Sequence, residues 1–177
     1  MKNKAHVEEL RFKTFPRSCP CSLGAKKVVE CFKRKFADVN SYTHKRQESN
    51  EVLAKVCSEL QSCCFQVETG KKKSETIPMP VLIGDNDRPE QTFLVDAYSE
   101  DYKTVVEIEA GQAVVNHRFL KDIFEACQMP QVEHLVIAVR NIYDKSDDFK
   151  KVCTFLETLY VNGRLVLPLK SITVIGY

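Results

Sequence analysis

Residues 104–140 constrain the fold of this chain more than any other stretch. The segment "TVVEIEA" (104–110) alternates with a period of two, as a strand does. From Gln112 the period becomes 3.6, and Val115, Phe119, Leu120, Ile123, Phe124 and Cys127 form one helical stripe that Pro130 stops. "VEHLVIAVR" (132–140) is then an almost unbroken apolar run, which suits a strand covered on both faces. A strand, a helix and a second strand in that order imply a right-handed crossover and a parallel pair. The chain has 177 residues and is 44% hydrophobic, enough for one domain with a real core.

The flanking segments extend the pattern. "SLGAKKVVECFKRKFADV" (22–39) places Val28, Val29, Cys31, Phe32 and Phe36 at helical spacing behind a Ser22 N-cap. "SNEVLAKVCSELQS" (49–62) does the same with Val52, Leu53, Val56, Cys57 and Leu60, capped by Ser49 or Asn50. "CCFQVETG" (63–70) reads as a short strand, and residues 71–90 as a polar, proline-containing loop leading into turn formers. "TFLVDAY" (92–98) and "TVVEIEA" read as two strands joined through "SEDYK". A helix over 147–162 ends at Gly163, and "SITVIGY" (171–177) closes the chain as a strand. The expected architecture is α/β, a mixed sheet flanked by helices, with a basic helical region over 1–48 and a core over 49–177.

Charge is uneven. Residues 1–75 carry 16 Lys and Arg against 9 Asp and Glu, whereas 76–177 carry 10 against 15. A basic half beside an acidic half suits a protein that meets a polyanion with one part and a cation with the other, although ordinary solvated surface gives the same totals. Nothing in the sequence suggests a membrane span or an export signal, so a cytoplasmic protein is expected. The eight cysteines lack the paired spacing of a zinc site, which favours reduced thiols. The alternative, a zinc or thiol regulator, would rest on Cys19, Cys21, Cys63 and Cys64.

The sharpest feature is the pair Glu107 and Glu109. Residues i and i+2 of a strand share a face, so the two carboxylates project together while Val106, Ile108 and Ala110 face the other way. Asp96 on the preceding strand joins them only if the connecting loop has an even number of residues; an odd loop turns it away. Three carboxylates on one patch repel unless something neutralises them. A hard divalent cation, Mg²⁺ or Mn²⁺, is the natural counter-charge, and it activates water for attack on phosphorus.

The series of Asp, hairpin, Glu-Ile-Glu, helix and apolar strand resembles the catalytic core of the PD-(D/E)XK nucleases over roughly residues 50–140. The second Glu, where most members have Lys, is similar to type II restriction endonucleases of the BamHI type. The resemblance implies a restriction-endonuclease-like fold and a metal-dependent endonuclease acting on double-stranded DNA, as a homodimer. It implies that Asp96 and Glu107 bind the metal, that Ile108 offers its backbone carbonyl, and that Glu109 handles the water. Val95 stands where the family has Pro. Glu59, Lys103 and Lys121 are candidate accessory groups, each with an alternative reading as a solvated charge. Lys33, Arg34, Lys35, Lys71, Lys72, Lys73 and Arg118 are candidate phosphate contacts. The alternative function is a catalytically inactive nucleic-acid- or protein-binding module on the same fold.

Overall fold

The computed structural model describes residues 9–111, 113–114 and 117–177. Gln112, Val115 and Asn116, expected to open the helix after Gly111, lie outside the described residues, as does most of the N-terminal "MKNKAHVEELRFK".

A six-stranded mixed sheet forms the centre. Its strands are β1 (Arg11–Phe15), β2 (Gln66–Val67), β5 (Ala97–Ser99), β6 (Thr104–Glu109), β7 (His134–Val139) and β8 (Ser171–Gly176). They lie in the order β1-β8-β7-β6-β5-β2. The β6–β7 and β7–β8 pairs are parallel, and β1, β5 and β2 add antiparallel edges. A separate two-stranded sheet joins β3 (Ile77–Ile83) to β4 (Pro89–Val95). The helices are α1 (Leu23–Arg34), a short α2 (Phe36–Val39), α3 (Ser49–Ser62), α4 (Arg118–Gln128) and α5 (Asp148–Asn162).

The sheet separates two cores. On one side Val28, Phe32, Val52, Val56 and Leu60 of α1 and α3 pack on Val106, Ile108, Val136, Ala138 and Ile175. On the other, Phe119 and Ile123 of α4 and Val152 and Leu156 of α5 pack on Val105, Leu135, Ile137, Ile172 and Val174. Ile77, Met79 and Val95 of the small sheet join this second core. The period-two side chains of β6, β7 and β8 account for this division, because each strand must supply both layers.

Several local expectations change. Residues 11–15, within the stretch read as helical, form the edge strand β1, paired antiparallel with β8. The cap of α3 is Glu48, in a reciprocal box with Glu51, rather than Ser49 or Asn50. Ser22 caps α1 as expected, accepting from the Ala25 amide at 3.2 Å. The stretch 77–95, read partly as loop, is a β-hairpin. Its second strand and β5, expected as one strand, break at Asp96 and enter different sheets. On α4, Phe124 is 60% exposed and Asp122 takes a place on the buried face beside Phe119, Ile123 and Ala126. The eight cysteines are free thiols, with Cys31 and Cys153 buried. Among the described residues no helix is long and apolar enough to cross a membrane.

Candidate functional site

The turn between β5 and β6 decides where Asp96 points. Ser99 pairs with Thr104, so the connection has four residues, and Ala97 pairs with Val106. Extending that register by one residue sets Asp96 opposite Glu107. The even loop is the case in which Asp96 joins the two glutamates.

Asp96 sits where the chain leaves the main sheet for the small one. The Ile108 amide loses its ladder partner at that point, and a backbone donor left bare in the interior is costly. Asp96 Oδ2 takes its place, accepting from Ile108 N at 2.7 Å. The backbone carbonyl of Asp96 accepts from the Glu68 amide at 2.8 Å, which fastens the bend to the end of β2. The resemblance points to the Ile108 carbonyl; the geometry adds a separate role for its N–H.

Helix α4 roofs this patch. Asp122, 8% exposed, belongs to its buried face, and Asp122 Oδ2 has no hydrogen-bond partner. Glu125 lies one turn on and pairs with Lys121 at 3.2 Å. Burial pushes the Asp96 carboxyl up to about 6; the bond from Ile108 opposes this, and the charges of Glu68 and Glu109 add to it. Burial likewise raises Asp122 to about 8, aided by Glu109, Asp96 and Glu125 and opposed by Lys121. Glu107 is raised well above the ordinary range, first by burial and then by Asp96, Asp122, Glu125 and Glu109. Glu109 is raised by burial and restrained by Arg118 and Lys121. Carboxylates that mutually hold protons are a hallmark of sites built for a cation or for proton transfer.

The remaining candidates divide. Lys121 and Arg118 act directly on the acids, and Lys71, bonded to Glu68 at 2.5 Å, lies close enough to act on Asp96. Glu59 pairs instead with Arg34 at 3.0 Å on the outer side of α1 and α3. Lys103 pairs with Glu133 at 2.9 Å, at the start of β6 rather than its acidic end. Neither joins the cluster, because each sits at the wrong place along its element. Lys33 is held by Glu30 and Lys72 by Glu75, while Lys35 caps α1 and Lys73 is exposed.

Asp122, Glu125 and Glu68 are the members that sequence reasoning missed. Asp122 carried a signal, since it stands between Phe119, Ile123 and Ala126 on the apolar stripe of α4. A carboxylate on that stripe calls for a cation or a hydrogen-bond donor to meet it, a signal that the hydrophobic pattern alone does not register.

The donor set is hard oxygen, crowded and partly unpartnered, which fits Mg²⁺ or Mn²⁺ in chemistry. Among the described residues, no three His, Cys, Asp or Glu side chains are gathered closely enough to hold a metal ion in this conformation. Compared with protein-family models and with curated proteins, the chain matches none of them.

Proposed function

We propose that this protein is a metal-dependent endonuclease that hydrolyses phosphodiester bonds of double-stranded DNA. The observation that carries the reading is the four-residue turn that sets Asp96 opposite Glu107, beneath a helix that adds an unpartnered Asp122. Asp96 and Glu107 would hold the cation, with the Ile108 carbonyl beside them. When bound, Mg²⁺ or Mn²⁺ lowers the pKa of a water and offsets charge building on the phosphoryl oxygens. The chain's own residues do the rest. The Ile108 amide fixes the Asp96 carboxylate at one oxygen and leaves the other free to bind. Glu109, its carboxyl raised by burial, would take the proton from the attacking water. Lys121 and Arg118 balance negative charge at the helix edge. A homodimer would present two such sites to the two strands.

A second reading has its own support. Asp96 already bonds a backbone amide, and no three ligands are gathered among the described residues, which favours a binding module that does not cleave. Nicking of supercoiled plasmid separates the two. Cleavage dependent on Mg²⁺ or Mn²⁺, lost in Asp96→Ala and Glu107→Ala, supports the nuclease. If the purified protein cleaves no nucleic acid with either ion, the enzyme reading fails.

A further inference from the structure

A groove of about 610 Å³ opens between the loop after α2 and the turn after β7. Lys45, Arg46 and Lys145 line it, with Tyr42, Tyr143 and one acid, Asp144. Lys45, Arg46 and Lys145 are exposed, and none forms an ion pair with a described residue. By contrast, Lys33, Arg34, Lys71 and Lys72 each already hold a glutamate.

The walls of the groove are fixed. Arg140, 3% exposed, donates to the backbone carbonyls of Lys45 and Gln47 and so sets the course of the loop. Its guanidinium lies over the Tyr143 ring, 5.3 Å from the centroid. Ser41 donates to the carbonyl of the C-terminal Tyr177 and accepts from the Asn141 amide at 3.0 Å. Two basic segments far apart in sequence are thereby clamped to the same end of the sheet, where β7 and β8 finish.

That end is also the acidic one, since β6 finishes there at Glu109. The Tyr143 ring packs against Gly111, two residues past Glu109; a Cβ there would sit 2.6 Å from the ring, and φ is +98°. From Gln47 the loop runs into Ser49, whose hydroxyl accepts from the Ala110 amide at 3.0 Å. Ser49, Glu109, Ala110 and Arg118 then line a second cleft of about 310 Å³ with Glu48 and Asn50. Cations on a rigid frame, leading to a carboxylate site, are what a phosphodiester backbone needs to be positioned for chemistry.

We propose that Lys45, Arg46 and Lys145 form the track that binds the nucleic-acid backbone and leads it to the Glu109 end of the acid cluster. This rests on the nuclease reading for its substrate class and moves the main phosphate contacts away from the basic run of α1. Each neutralised phosphate contributes about 0.9 to the slope of log affinity against log salt.

The test uses the full chain carrying Glu107→Gln, which keeps a DNA duplex intact, with binding followed by fluorescence anisotropy on a labelled duplex across a salt series. Adding Lys45→Ala, Arg46→Ala and Lys145→Ala together is expected to flatten the slope by roughly 2 to 3 and to weaken binding at 0.1 M salt on the order of 10²- to 10³-fold. Lys33→Ala with Lys72→Ala serves as control, with expected losses under roughly threefold. Equal melting temperatures establish that the variants fold, as expected for exposed positions. An unchanged slope and affinity in the triple variant overturns the track and leaves the nuclease reading standing. No duplex binding by the Glu107→Gln parent, even at low salt, overturns both.

Discussion

The two faces of β6 carry opposite solutions to the same packing problem. Toward α1 and α3 the strand offers Val106 and Ile108, at most 3% exposed, and the layer they join holds no carboxylate among its buried members. Toward α4 it offers Val105 and then Glu107 and Glu109, with Asp122 lowered onto them. The neighbouring β7 is apolar on both faces from Leu135 to Val139, so the acidic gap is local. It opens where β5 leaves the sheet at Asp96 and where α4 crosses. Burying carboxylates that raise one another's pKa opposes folding, so this half of the molecule gives up stability that the other half supplies.

The largest expected effect tests whether that sacrifice serves chemistry. Glu107→Ala should lower Mg²⁺-dependent nicking on the order of 10³-fold, and Glu109→Gln by at least about 10²-fold. A Glu107→Ala protein that cleaves like the parent would place the chemistry elsewhere.

Next in size is the contrast in stability. Leu60→Ala, in the apolar layer, should cost about 2–5 kcal/mol, read from urea denaturation. Asp122→Asn, in the acidic layer, should be neutral or stabilising at pH 8, because it removes a charge without changing shape. Equal losses at both positions would erase the distinction between the layers.

The pH dependence follows from the raised carboxyls. Above pH 4 the native protein keeps protons that the unfolded chain has released, so the unfolding free energy falls as pH rises. The Asp96 contribution is lost through about pH 6 and that of Asp122 through about pH 8. Each unit of upward displacement is worth about 1.4 kcal/mol. Thermal melting should therefore weaken from pH 5 to pH 8, and Mg²⁺ should restore more at pH 8 than at pH 5, since only the ionised cluster attracts it. A melting temperature that rises across this window would contradict the buried-acid account.

The smallest effect sharpens the boundary of the site. Glu59 pairs with an exposed Arg34, so Glu59→Gln should change stability by less than about 1 kcal/mol and leave nicking unaltered. A large loss of cleavage would return Glu59 to the site.

Local pattern in the sequence determined much of this. The alternation over 104–109 set both glutamates on one side of β6, and the apolar run of 134–139 required a strand covered twice. The helical stripes located α1, α3, α4 and α5, because amphipathic periodicity is written in near neighbours. Tertiary structure decided what near neighbours cannot encode. The strand at 11–15 exists through its pairing with 172–176 at the far end of the chain. The break at Asp96 follows from two sheets claiming the two halves of one extended segment. The even turn gave Asp96 its direction, and the descent of α4 made Asp122 part of the site. Periodicity fixes which face a side chain takes, but what covers that face depends on how the elements come together.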